Sequence, residues 1–214
     1  MSKVILFQGD SITDCSRNRQ DFYNMGFGYA NLTKGFLGME HPNEYQCVNR
    51  GVSGDRIVDL YARIKCDFIN INPDYASIFV GVNDAWHEIS GRNGVDTEKF
   101  ERIYSMYLDE IYAVCPNVKI FLIAPYVLEG SATCGSEDMP DRYERFVKDV
   151  GEKAEAVKRI GKKYYLPVVE LQPAFDEACK QAPADYWTLD GVHPSICGHE
   201  MIKRLWLEAF EKIK

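Results

Sequence analysis

Two short stretches far apart in the chain hold residue types that together could cleave an acyl bond. Gly9-Asp10-Ser11 closes an apolar run near the amino end, and Asp190-Gly191-Val192-His193-Pro194 sets an acid three residues before a histidine near the carboxyl end. In such a centre the serine hydroxyl attacks, the imidazole takes its proton, and the carboxylate fixes the imidazole tautomer. Taken alone, each part has a plainer reading. Ser11 fits a turn residue or helix N-cap better than a nucleophile, and Asp190-Gly191 fits an ordinary turn ahead of a helix. Only four histidines compete for the role of base. His41 stands beside Pro42 at a helix-breaking turn, His87 follows Asn83 closely enough to line a pocket or merely its rim, and His199 falls inside the last helix, where packing is the better reading. His193 has an acid nearby and a glycine between them that permits the bend such a contact needs.

The elements that must position these groups follow from hydrophobic patterning. Val4-Ile5-Leu6-Phe7 runs into Gln8-Gly9 with no polar alternation, as a strand buried on both faces does. Further strands are predicted at 45–49, 75–82, 118–124 and 168–171. Helices are predicted at 28–39, from Ile57 past Ile64, through 100–111, at 141–164, at 173–180, and from Ser195 to the end. Residues 14–24, 85–96, 125–139 and 182–194 read as loops, and the length of 125–139 suggests a functional lid or rim. Five β-α repeats predict one three-layer α/β/α domain over 1–214, with a mostly parallel sheet. In such a sheet every strand-to-helix loop opens at one edge. Ser11, the 51–55 loop and Asn83 therefore meet there. Gly54 offers a backbone N–H with no side chain in the way, and Asn83 an amide able to donate to a developing oxyanion.

The four stretches occur in a fixed order: Gly9-Asp10-Ser11 after the first strand, Gly51-Val52-Ser53-Gly54 after the second, Gly81-Val82-Asn83-Asp84 after the third, and Asp190 to His193 near the end. That conjunction resembles the SGNH hydrolases, also called the GDSL esterase/lipase family, over nearly the whole chain. Its most specific parts are Gly9-Asp10-Ser11-Ile12-Thr13-Asp14 and Asp190-Gly191-Val192-His193-Pro194-Ser195 with Gly198-His199. No Gly-x-Ser-x-Gly is present, so the nucleophile elbow of α/β-hydrolases is not the source of the pattern. The resemblance implies a flavodoxin-like sheet of order 2-1-3-4-5 and a serine esterase without metal or cofactor. It implies Ser11 as nucleophile, His193 as base and acid, and Asp190 as its orienting partner. The oxyanion hole it implies is the N–H of Ser11, the N–H of Gly54 and the amide of Asn83. Ser53 reads as a turn hydroxyl, and Asp10 and Asp84 as braces of their loops.

Totals limit the partners. The 214 residues carry a formal charge of −7 with 46% hydrophobic and 27% charged residues, ordinary composition for a globular domain and unsuited to tracking nucleic acid or anionic lipid. Apolar stretches are strand-sized, so no membrane span is expected. Seven scattered cysteines with no Cys-x-x-Cys spacing read as free thiols in a reducing compartment. With no signal peptide ahead of the first strand, a cytoplasmic location is expected.

A small-molecule ester is the implied substrate. The loops are polar, which disfavours a long acyl trough and favours acetyl on a polar alcohol such as a sugar. Arg17, Tyr23, Trp86, His87, Tyr126 and Glu129 lie in or near those loops and are candidate substrate contacts, the aromatics by stacking on sugar faces. The competing reading places the aromatics in the core and leaves the charges solvated. A thioesterase or lysophospholipase of the same family, or a catalytically silent binding protein on the fold, is the alternative. A flavin or nucleotide binder is disfavoured because the first loop is not glycine-rich.

Overall fold

The computed structural model describes residues 2–214, so Met1 lies outside the described residues. Strands β1 (Lys3–Gly9), β2 (Tyr45–Asn49), β3 (Tyr75–Phe79), β4 (Lys119–Ala124) and β5 (Val168–Glu170) form one parallel sheet of order β2-β1-β3-β4-β5. The helices are α1 (Ser11–Asp14), α2 (Tyr29–Glu40), α3 (Ile57–Ala62), α4 (Val82–Gly91), α5 (Thr97–Val114), α6 (Arg142–Tyr164), α7 (Leu171–Ala178), α8 (Ala184–Trp187) and α9 (Ile196–Glu211), with a π-helical turn at Lys65–Ile69.

The uninterrupted apolar run of β1 is explained by its two covered faces. Ile5 and Phe7 join a core with Tyr29 and Leu37 of α2, Phe175 of α7 and Trp206 of α9. Leu6 faces a second core built from Ile57 and Leu60 of α3, Tyr104 and Tyr107 of α5, and Ile160 of α6. Trp206 stacks on Phe7 with ring centroids 4.9 Å apart, which ties the last helix to the first strand. The start of α9 is capped by Ser195, whose hydroxyl oxygen accepts from the Gly198 N–H at 3.3 Å.

Two boundaries differ from the sequence reading in ways that matter for the site. Residues 85–96 are not a loop: α4 begins at Val82, directly after β3. Gly81, at φ +138°, turns the chain straight from strand to helix, and Val82 and Ala85 are buried while Trp86 and Ile89 pack partly against the core. Gly91 and Gly94 masked that stripe, and the helix ends on left-handed Arg92 instead of a glycine. The 173–180 helix starts two residues earlier, at Leu171, because Pro173 in the first turn forfeits no intrahelical bond.

Candidate active site

The chain leaves β1 for β2 on one side and returns to β3 on the other. The connections after β1 and β3 therefore diverge at the carboxyl edge and open a crevice there. Asp10 caps α1, its Oδ1 accepting from the Ile12 N–H at 3.0 Å, and Ser11 follows as the first helical residue. Ser11 Oγ lies 2.9 Å from His193 Nε2, and His193 Nδ1 lies 2.7 Å from Asp190 Oδ2. The other oxygen of Asp190 accepts from the N–H groups of Val192 at 2.9 Å and His193 at 2.8 Å, so one carboxylate orients the ring and closes the turn. With Nδ1–H given to Asp190, Nε2 presents its lone pair to the serine hydroxyl. The Asp190 hydrogen bond raises the His193 pKa above the ordinary histidine value, against the effect of burial. Burial would raise Asp190 in turn, but the bonds from His193 and Val192 hold it below the usual carboxylate range.

Across the crevice stand Gly54 and Asn83. Gly54 adopts φ +87° with open space on its Cβ side, so the backbone conformation, not crowding, calls for glycine. Among the described residues neither the Ser11 nor the Gly54 N–H has an acceptor. Asn83, in the first turn of α4, donates one amide hydrogen to the Asp55 carbonyl at 3.1 Å, which leaves its second N–H uncommitted. Ser11, Gly54, Asn83, Trp86, His87 and His193 all line one crevice of about 640 Å³, with Ser53, Ser90, Gly91 and Asn93. Trp86 sets its ring 6.0 Å from that of His193 and 5.7 Å from Phe146.

The remaining sequence candidates are not brought into that crevice. Arg17 is nearly buried, and its Nε donates to the Gly51 carbonyl at 2.9 Å, so it ties the first loop to the second. Tyr23 is exposed and borders a different cavity with Lys34 and Tyr45. Tyr126 is fully buried, stacked on Phe175 at 4.0 Å, with its hydroxyl donating to the Val192 carbonyl at 2.9 Å. Glu129 is exposed outside the crevice lining. Nearness in sequence to a rim loop misled here, because a ring with one polar tip suits a core that borders a loop equally well.

Several supporting residues complete the frame, and of these Asp14 went unread in the sequence. Asp14 is buried and accepts from Arg19 Nη2 at 2.6 Å and from both the N–H (3.0 Å) and the hydroxyl (3.2 Å) of Ser53. Burial would raise it, yet the bonds from Arg19, Ser53 and Arg17 hold it low. Asp84 accepts from the Ile57 N–H at 3.1 Å, and burial pushes its carboxyl well above the usual range. Burial likewise lifts Asp10 to about 7. His199 packs under α1: its Nδ1 accepts from the Tyr29 N–H at 3.1 Å, Nε2 lies 3.5 Å from Cys15 Sγ, and burial drops its pKa to about 4. The 125–139 segment is a brace more than a lid. Its Leu128 N–H donates to the Gly191 carbonyl at 2.8 Å and its Ala132 N–H to the Asp190 carbonyl at 3.0 Å. Arg63, at the end of α3, had one legible signal, the i,i+4 spacing to Asp67.

Among the described residues no cluster of three or more His, Cys, Asp or Glu side chains could hold a metal ion, and no helix is long and apolar enough to cross a membrane. All seven cysteines are free.

The profile of the GDSL-like lipase/acylhydrolase family matches residues 7–201. An acetylxylan esterase of Geobacillus stearothermophilus is 33% identical over 217 residues, covering 95% of this chain and 91% of that protein. A Parabacteroides merdae crystal structure classed as a GDSL-like lipase superposes with a TM-score of 0.89 at 32% identity, over 99% of this chain and 97% of that one. The crystal structure of the Geobacillus acetylxylan esterase superposes with a TM-score of 0.83 at 30% identity, over 97% and 93% of the two chains. Catalytic mutants of that esterase, with an aspartate, a serine or a histidine replaced by alanine, match as well.

Proposed function

The chain belongs to the GDSL-like lipase/acylhydrolase family and is a carboxylic ester hydrolase, and from that premise we propose that it removes acetyl groups from carbohydrate hydroxyls with Ser11 as nucleophile. The observation that carries this reading is the unbroken relay of Ser11 Oγ, His193 and Asp190 at 2.9 and 2.7 Å. His193 takes the hydroxyl proton as Oγ attacks the ester carbonyl. The N–H groups of Ser11 and Gly54 and the Asn83 amide receive the oxyanion. His193 then protonates the departing alcohol, leaving an acetyl-serine, and a water activated by the same imidazole releases acetate. All of residues 1–214 serve as one hydrolase domain.

The crevice supports a small acyl group and a polar alcohol. Beyond the reacting centre its lining is Ser53, His87, Ser90, Gly91 and Asn93, with Trp86 as the one large apolar surface. Asn83, Trp86 or His87, and Ser90 or Gly91 recur at helical spacing along α4, which gives about 12 Å of hydrogen-bonding and stacking surface at 1.5 Å per residue. Such a surface, an aromatic face flanked by polar groups, suits a sugar ring. The relative named an acetylxylan esterase and the catalytic mutants of its serine, histidine and aspartate favour the same assignment.

Acetate release from a panel of acetylated mono- and xylo-oligosaccharides, with wild type beside Ser11→Ala, tests it. The expected result is turnover of the acetylated sugars that Ser11→Ala abolishes without loss of thermal stability. Hydrolysis that survives Ser11→Ala defeats the nucleophile, and nitrophenyl-ester rates that climb from acetyl to decanoyl defeat the acyl preference.

A further inference from the structure

Arg63 lies at the end of α3, outside the crevice lining, yet its guanidinium reaches the end of β1, the loop that carries Gly54 and the π-helical turn. Nε donates to Asp55 Oδ2 at 2.6 Å. Nη1 reaches Gln8 Oε1 at 3.0 Å, the Arg50 carbonyl at 2.8 Å and Asp67 Oδ2 at 2.9 Å. Nη2 donates to the Gly9 carbonyl at 3.1 Å. Gln8 and Gly9 end β1, directly before Asp10-Ser11. Arg50 and Asp55 bracket the loop that carries Gly54. Asp55 also passes the contact on, because its backbone carbonyl is the acceptor of Asn83. The same Gly9 carbonyl accepts from the Val52 N–H at 3.1 Å, so β1 and the Gly54 loop are clasped at one atom.

The chemistry of the side chain suits this place. Arg63 and Asp55 are only 15% and 13% exposed, so these charge-assisted bonds work largely out of water. A planar fork with five donors can span acceptors on three chain segments, whereas an ammonium on a flexible stem is a point charge that cannot.

We propose that Arg63 is a positioning residue for the oxyanion hole: without touching substrate, it sets the spacing between the Ser11 N–H, the Gly54 N–H and the Asn83 amide. The proposal rests on the reading of those three as oxyanion donors. Donors of this kind act because they are already in place when charge develops, and a shift of about 1 Å in such geometry costs on the order of 10²-fold in rate. The base side lies outside its reach: the charges that bear on His193 are those of Asp190 and Asp10, with neutral His199 behind.

Arg63→Lys and Asp55→Asn test it, the second keeping the backbone carbonyl that holds Asn83. Each is assayed on nitrophenyl acetate for kcat, KM and pH profile, for affinity toward a boronic-acid mimic of the tetrahedral state, and by near-ultraviolet circular dichroism. Arg63→Lys is expected to lower kcat and kcat/KM together by about 10²-fold, as loss of an interaction made in the transition state does. Boronate affinity falls in parallel, and the acidic limb of the profile stays where it was. Asp55→Asn moves the same quantities in the same direction by less, and it carries the test if Arg63→Lys fails to fold. Wild-type kcat in folded variants, loss no greater than the unfolded fraction, or a displaced acidic limb overturns the proposal. Activity surviving in Ser11→Ala would instead overturn the reading on which it rests.

Discussion

The two sides of the crevice are held together by different forces. On the nucleophile side the loops are tied by charge: Asp14 to Arg19 and Ser53, Asp55 to Arg63, and Arg17 to the Gly51 carbonyl. On the base side the Asp190 carboxylate closes its own turn, and the contacts that hold the turn from neighbouring segments are neutral. Leu128 and Ala132 donate backbone N–H groups to it, Tyr126 adds a hydroxyl, and the Leu189 N–H closes the turn on the His193 carbonyl at 2.7 Å. The charge pairing His193 in that region is Asp190, 2.7 Å from its Nδ1. The nucleophile side must hold backbone N–H groups apart and aimed at one point, and buried carboxylates anchored on backbone donors do that stiffly. The base side must leave one carboxylate to set the basicity of one imidazole, and each added charge would move that value. Asp10 respects the same constraint. With a pKa near 7, it does not set a full second charge behind His193 at neutral pH.

If the division holds, damage to the two sides is distinguishable by pH. Asp190→Asn is expected to have the largest effect, a loss of about 10⁴-fold in kcat. Its acidic limb moves to lower pH, because Asp190 is what raises His193 and an amide cannot stabilise the imidazolium. The kcat/KM profile checks this, and an unmoved limb would mean that Asp190 only orients the ring. Asn83→Ala comes next, with a loss of about 10²–10³-fold in kcat and the limb unmoved. A shifted limb there would show the two sides to be electrostatically coupled and would break the comparison.

Gly130→Ala sharpens the base side. A Cβ at Gly130 would sit 2.3 Å from both the Asp190 carbonyl carbon and the Gly191 nitrogen. Both atoms are backbone, so the whole turn must shift. Overpacking of this kind costs about 1–3 kcal/mol, and a fall in melting temperature with a displaced acidic limb is expected. A lowered melting temperature with an intact pH profile would show that the turn tolerates displacement without losing the Asp190–His193 contact.

How much of this was readable beforehand follows the same division. The strands were legible because burial on both faces leaves an unbroken apolar run, and Ser11 and Asn83 were legible because each stands where such a run ends. The helix carrying Asn83 and Trp86 was not, since two nearby glycines imitate a loop and its stop signal is the left-handed Arg92. The tie between the 125–139 segment and Asp190 depends on Gly130 lying against Gly191, a contact between residues about 60 positions apart that no local pattern encodes. Arg63 is invisible for a related reason. Its five acceptors come from the end of β1, the 50–55 loop and the π-helical turn, and only the spacing to Asp67 is local.

Tyr126→Phe is the mildest probe and the one that best separates the two kinds of support. The ring keeps its stack on Phe175, and only the bond to the Val192 carbonyl is lost. A neutral hydrogen bond of this type contributes about 0.5–1.5 kcal/mol. The expected outcome is a drop of that size in chemical-denaturation stability, with kcat reduced no more than about tenfold, the rate equivalent of about 1.4 kcal/mol. The other bonds to the turn, from Leu128, Ala132 and Leu189, remain and share the load. A loss approaching that of Arg63→Lys would show that the base turn also hangs on one residue, and that neutral backbone support is no more forgiving than a single buried guanidinium.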